Sequence, residues 1–143
     1  MKFSELDRLF NANRQAWGEF ALLLVEPDIV EGDDVDVLIS PLRMMKVDHD
    51  ARQIIVSSGA GHAEEVQNAF PSTFEMFMNS WPLPEFLEGD YDVVIRLPLD
   101  EEDVGLKPDQ VVPLAGVRAG VDSEEVWLLV RPISEFPADA LPD

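Results

Sequence analysis

Cysteine is absent from this 143-residue chain, and both lysine and long apolar runs are scarce. Without cysteine the chain forms no disulfide and offers no thiolate for catalysis or for binding zinc or iron–sulfur clusters. The longest apolar run, residues 20–25, is far shorter than the roughly 20 residues that a membrane-spanning helix needs. The amino terminus has no basic segment followed by an apolar one, so we predict no signal peptide and a cytoplasmic location.

Acidic residues dominate what is present. The chain has 29 Asp and Glu against 10 Lys and Arg, which gives a formal net charge of −19. A surface of this kind repels nucleic acid and anionic membranes and attracts basic partners. We therefore expect a basic protein partner, no direct binding of nucleic acid and no membrane, and the sequence leaves the oligomeric state open. Because 46% of the residues are hydrophobic, we expect the acidic residues to belong to a folded domain and not to a disordered tail.

The hydrophobic patterns predict an α+β fold. We expect a single domain over residues 1–131, with a mostly antiparallel sheet of about five to seven strands, an N-terminal helix and two short central helices. A proline-rich acidic tail is expected over residues 132–143.

Individual elements follow from local signals. Residues 4–17 predict an amphipathic helix that begins at Ser4 as N-cap and ends at Gly18. Residues 20–25 predict a central strand covered on both faces and ended by Glu26 and Pro27. Residues 42–57 predict a hairpin. A short helix over residues 63–70 precedes a second one, for which Ser72 and Glu75 form a capping box and Phe74, Phe77, Met78 and Trp81 form the apolar face. Residues 111–117 and 126–130 are further strand candidates.

Motifs for catalysis or cofactor binding are weak. The glycine-rich turn over residues 57–62 lacks the lysine of a phosphate-binding loop, and the dinucleotide-binding pattern fails at Glu64. Only His49 and His62 are available as imidazole ligands, and no metal-binding spacing surrounds them. Among 29 acids, a pair of carboxylates always occurs by chance and is not diagnostic. We therefore predict no catalytic residue, no metal, no cofactor and no enzyme activity.

The strongest functional signal is the clustering of acids in two segments. Residues 26–36 and 85–103 together hold 14 carboxylates and one base, Arg96. Trp81, Phe86 and Tyr91 lie beside the second segment, and aromatic anchors within a charged rim are typical of tight protein interfaces. The predicted partner-binding residues are Asp33, Asp34, Asp36, Trp81, Glu85, Glu88, Asp90, Asp100, Glu101, Glu102 and Asp103.

Three functions agree with this pattern. The favoured one is a small non-catalytic protein that neutralises a basic partner, as immunity proteins, antitoxins and host-defence inhibitors do. A second is a nucleic-acid mimic whose carboxylates imitate phosphates and block a DNA- or RNA-binding protein. The third is a ligand-binding or enzymatic domain of a salt-adapted organism, in which the acid only solvates the surface. Because the acids cluster in predicted loops beside aromatics, the sequence favours the first.

Overall fold

The computed structural model describes residues 1–29, 35–59, 73–79, 88–106 and 108–136. Two α-helices, eight strands and two 3₁₀ turns lie within these ranges. The helices are α1 (Phe3–Trp17) and α2 (Phe74–Asn79), and the 3₁₀ turns are Glu101–Asp103 and Ile133–Glu135. The strands are β1 (Ala21–Ile29), β2 (Val35–Pro41), β3 (Met44–Asp48), β4 (Gln53–Ser57), β5 (Asp92–Leu97), β6 (Gln110–Pro113), β7 (Gly116–Gly120) and β8 (Glu125–Leu129).

The strands form two four-stranded sheets. Their orders are β2-β1-β8-β7 and β3-β4-β5-β6, and in each sheet a central parallel pair is flanked by two antiparallel pairs. The α+β class and the 42–57 hairpin, formed by β3 and β4, are therefore confirmed. The expectation of one sheet of five to seven strands is wrong, because eight strands are divided between two sheets. One of the two expected central helices, residues 63–70, lies outside the described residues.

Two bends divide the strands between the sheets. Only two residues separate β2 from β3, and two separate β6 from β7, so each segment passes from one sheet directly into the other. The backbone N–H of Leu114 donates to the carbonyl oxygen of Val93 in one sheet, and that of Ala115 donates to Leu129 in the other. Chains that switch sheets at a bend form the corners of packed sheets. Hydrophobic alternation continues through such a corner, which is why residues 111–117 resembled one strand.

A single main core joins the sheets and helices. It contains Phe3, Leu6 and Phe10 of α1, Phe74, Phe77 and Met78 of α2, and inward residues of both sheets, among them Leu22, Leu24, Ile54, Val56, Val93, Ile95, Val126 and Leu128. A second cluster on the other face of β1 and β8 contains Val25, Trp127, Leu129 and Phe136. The prediction that β1 is a central strand covered on both faces is therefore confirmed. The buried face predicted for α2 is also confirmed by Phe74, Phe77 and Met78.

Both helix starts differ from the sequence prediction. Helix α1 begins at Phe3 after Lys2, so Ser4 lies inside the helix and is not its N-cap. Its hydroxyl instead donates to a carboxylate oxygen of Asp90 at 3.1 Å. Helix α2 begins at Phe74, and the hydroxyl of Thr73 accepts the N–H of Met76 at 3.2 Å. Thr73, the residue directly before α2, is therefore its N-cap.

Gly18 closes α1 as predicted, with a steric reason. Its N–H donates to the carbonyl oxygen of Arg14 at 3.0 Å, and a Cβ at this position would lie only 2.6 Å from that same oxygen. The carbonyl of Gly18 accepts the N–H of Glu75, which joins the end of α1 to the first turn of α2.

Residues 26–29 and 35–36 belong to strands and not to the exposed loop that the acids of segment 26–36 suggested, and residues 30–34 lie outside the described residues. Strand β1 continues through Glu26 and Pro27 to Ile29 and pairs with β2, so that Asp28 lies opposite Asp36. Glu26 is only 4% exposed. Apolar residues alternate with acids on both strands, and this alternation is a strand pattern that net charge and one proline concealed. Within the described ranges, no helix is long and apolar enough to cross a membrane.

Candidate functional site: an acidic turn beside an open cleft

The predicted partner-binding residues that the structure describes are divided between different parts of the fold. Asp33, Asp34, Trp81 and Glu85 lie outside the described residues, and Asp36 is the second residue of β2. Glu88 and Asp90 precede β5, whereas Asp100, Glu101, Glu102 and Asp103 follow it. A six-residue strand is roughly 20 Å long. The two acidic groups thus lie at opposite ends of β5.

Acids at the amino end of β5 make internal contacts. The carboxylate of Asp90 accepts the hydroxyl of Ser4, and the carboxylate of Asp92 forms an ion pair with Lys2 at 3.2 Å. The carbonyl oxygen of Tyr91 accepts the N–H of Phe3 at 2.7 Å. The hydroxyl of Tyr91 lies 2.8 Å from Nδ1 of His49. These contacts attach the start of α1 to the second sheet.

Acids at the carboxyl end of β5 form a compact turn. One carboxylate oxygen of Asp100 accepts the N–H of Glu102 at 3.0 Å, and the carbonyl of Asp100 accepts the N–H of Asp103. Among the residues that the structure describes, no cation lies within 4.0 Å of the carboxylate of Asp100 or Glu102. Within the described part of the chain, their negative charge is therefore not neutralised by an ion pair.

Exposed apolar side chains accompany these acids. Val104 is 43% exposed and Leu106 is 80% exposed, and both directly follow the 3₁₀ turn. Ile39 of β2, also 43% exposed, lines an open cleft together with Asp100 and Glu102. We refer to residues 100–106 as the acidic turn. Aliphatic groups bordered by unneutralised acids are typical of a protein-binding surface with an apolar centre and a charged rim.

An open cleft of about 500 Å³ adjoins the acidic turn. It lies where the carboxyl ends of β2, β4 and β5 meet. Its lining residues are Leu38, Ile39, Ser40, Pro41, Arg43, Ser58, Leu99, Asp100 and Glu102. The hydroxyls of Ser40 and Ser58, both nearly buried, donate to the carbonyl oxygen of Leu99 at 3.2 and 2.9 Å. These two bonds connect β2, the end of β4 and the segment after β5.

No histidine is present among the described residues that line the cleft. His49 lies in the β3–β4 turn beside Tyr91, which is at the opposite end of β5 from the cleft, and His62 is outside the described residues. Ser40 and Ser58 therefore have no imidazole among the cleft residues to accept their protons. Over the described ranges, no group of three or more histidines and acids is arranged to hold a metal ion.

Sequence reasoning missed several residues of this site. Ile39 and Ser40 belong to β2 and Arg43 to the bend that follows it, and only the contact between the two sheets brings them to the carboxyl end of β5. Their sequence signal is weak, because a single arginine between Leu42 and Met44 is also what an ordinary hairpin strand contains.

No protein-family model, curated protein or solved structure significantly matches this chain.

Proposed function

We propose that this chain is a small non-catalytic protein that binds and neutralises a basic protein partner through the acidic turn. The observation that supports this proposal most is that Asp100 and Glu102, which have no cation within 4.0 Å among the described residues, share one short segment with exposed Val104 and Leu106. Acids with no internal cation retain their attraction for an external one. The exposed aliphatic groups bury apolar surface when a partner covers them.

The two kinds of residue contribute to different steps of binding. Complementary charge accelerates association, and this contribution weakens as salt rises. Apolar contacts at the centre of an interface mainly slow dissociation and persist at high salt. A surface that has both kinds of residue predicts a complex that forms rapidly at low salt and survives a high-salt wash.

This arrangement favours neutralisation of a protein over mimicry of nucleic acid. A mimic requires acids in rows along an elongated face, at intervals that resemble those of phosphates. The acids of the acidic turn instead lie within four consecutive residues that are followed directly by Val104 and Leu106. Leu106, 80% exposed, has no counterpart in a phosphate backbone.

Affinity capture from lysate of the source organism, with a wash at about 0.15 M and then at about 1 M salt, tests the proposal. The test variant is Asp100→Asn with Glu102→Gln. Its matched control is Asp122→Asn with Glu124→Gln, which removes the same charge from the β7–β8 turn. We expect wild type and control to retain one basic protein through both washes, and the test variant to lose it.

Two results would contradict the proposal. Equal loss from both variants would mean that total charge, and not the acidic turn, determines binding. A set of unrelated basic proteins, all released at high salt, would reduce the acid to a nonspecific field and favour salt adaptation. Melting in dilute buffer and in molar KCl then checks the latter, because a salt-adapted domain requires molar salt to fold.

A further inference from the structure

The two halves of the chain have the same strand arrangement. Strands β1 to β4 form one antiparallel pair before a two-residue bend and another after it, and strands β5 to β8 do the same. Adding 71 to the residue numbers of β1, and 72 to those of β2, β3 and β4, gives the register of the second half. The pair Leu23–Pro41 becomes Val94–Pro113, and the other antiparallel pairs that occur in both halves convert in the same way.

An uncommon backbone conformation also occurs at equivalent positions. Arg52 and Glu124, which directly precede β4 and β8, have positive φ angles of 54° and 55°. Their carbonyl oxygens accept the N–H groups of Asp92 and Ala21, the first residues of β5 and β1, at 2.9 and 3.0 Å. Because few residues other than glycine adopt positive φ, this agreement indicates that the two halves share one fold.

The two helices begin at equivalent positions, and each start binds the other half. Phe3, the first residue of α1, donates its N–H to the carbonyl oxygen of Tyr91 at 2.7 Å. Phe74, the first residue of α2, donates its N–H to the carbonyl oxygen of Phe20 at 3.1 Å. Both Phe3 and Phe74 are fully buried in the main core. The start of each helix is therefore attached to the half that does not contain it.

The strand pairs between the halves are reciprocal as well. The parallel pairs β1–β8 and β4–β5 each join one strand of the first half to one of the second. Their registers correspond, since Ala21 lies opposite Glu125 and the equivalent Asp92 lies opposite Gln53. These contacts thus occur twice, with the halves exchanged. Reciprocity of this kind defines an isologous interface, which joins the subunits of a two-fold symmetric dimer.

We propose that this chain is a fused dimer of one repeat unit, in which residues 1–58 and residues 73–130 bind each other as subunits do. The partner that fits the inner surface of either unit is a second copy of the unit. The helix start and the two parallel strand pairs form this surface.

The repeat unit also relates the two acidic segments of the sequence. In each unit the connection between the first and second strands is acidic, as residues 30–34 and 98–109 show in the sequence. The acidic turn is therefore the second unit's form of a connection that both units contain.

A circular permutant of the full chain tests the proposal. It begins at residue 72, runs to Asp143 and continues directly from Met1 to Pro71. Residues 59–72 connect the units in the original order, and residues 131–143 followed by Met1 connect them in the permutant with the same number of residues. Because loop closure then costs a similar entropy, we expect the equilibrium constant for unfolding in urea to stay within about tenfold of wild type.

The matched control is a permutant opened between Asp50 and Ala51, with the same join of Asp143 to Met1. This exposed turn lies inside the first unit, and opening it separates β3 from β4, which pair within that unit. We expect the control to unfold at a lower urea concentration than the permutant that begins at residue 72.

Both permutants are also made with about six Gly and Ser residues at the join, so that the join itself imposes no strain. Equal urea midpoints of the two permutants would overturn the proposal, because the boundary between the units would then have no special status. Failure of the permutant that begins at residue 72 to fold with either join would overturn it as well. These measurements use the isolated chain, so their outcome does not depend on whether a basic partner exists.

Discussion

The two ends of β5 have similar acidic composition but different chemistry. At the amino end, Asp90 and Asp92 are bound by Ser4 and Lys2 and attach α1 to the sheet. At the carboxyl end, Asp100 and Glu102 lie beside exposed Leu106, and among the described residues they have no cation within 4.0 Å. The comparison shows that acid count alone does not identify a binding surface. The distinguishing property is whether the fold itself uses the charge.

The largest loss of stability is expected from Ser40 and Ser58, whose hydroxyls bind the segment that follows β5. In the double variant Ser40→Ala with Ser58→Ala, the carbonyl of Leu99 loses both hydroxyl donors. We expect the free energy of unfolding to fall by about 1–3 kcal/mol, because a buried acceptor is left unsatisfied. Urea unfolding of the double and both single variants measures this.

The single variants supply the control for that prediction. Each leaves one donor on Leu99, so the two single losses are expected to sum to less than the loss in the double variant. Strict additivity would show that the two serines act independently and that Leu99 does not couple them.

A smaller effect is expected at the amino end. Asp92→Asn removes the ion pair with Lys2, in which both side chains are more than 40% exposed. Exposed ion pairs contribute about 0.2–1 kcal/mol, so we expect a loss in that range at low salt. The same comparison at about 1 M NaCl is the control, because screening removes the contribution. A loss that persists at high salt would mean that Asp92 acts through packing and not through charge.

Two opposing effects are expected at Trp127, in the second cluster. Its indole N–H is buried and has no hydrogen-bond partner among the described residues. The carbonyl oxygen of Leu99, in contrast, accepts two hydrogen bonds. Trp127→Phe loses ring contacts but also removes the unsatisfied donor, and these changes oppose each other. We expect the free energy of unfolding to stay within about 1 kcal/mol of wild type. A greater loss in urea unfolding would indicate that the indole N–H is bonded in solution.

Local patterns predicted the elements better than their arrangement. Helix α1, the two covered faces of β1, the β3–β4 hairpin and the buried face of α2 follow from periodicity within single segments. The division into two sheets does not, because the bends after Pro41 and Pro113 leave hydrophobic alternation intact. The continuation of β1 past Pro27 depends on pairing with β2, which local charge does not indicate.

Only the local part of the candidate site could be predicted, because the sequence does not indicate how distant segments are arranged. The acids of residues 100–103 were visible in the sequence as a run without a base. The cleft beside them was not visible, because Arg43, Ser58 and Asp100 line the same cleft only where β2, β4 and β5 meet. The role of Asp90 was likewise hidden, since its partner Ser4 is 86 residues away in the chain.

The most direct test of the difference between the two ends is the stability of the variant Asp100→Asn with Glu102→Gln in urea at low salt. Asparagine at position 100 keeps an acceptor for the N–H of Glu102, so the turn remains intact while two negative charges are removed. If these acids serve binding and not folding, relief of repulsion leaves the free energy of unfolding unchanged or raises it by up to about 0.5 kcal/mol. A decrease of about 1 kcal/mol or more would contradict the account, because it would show that the fold depends on these charges.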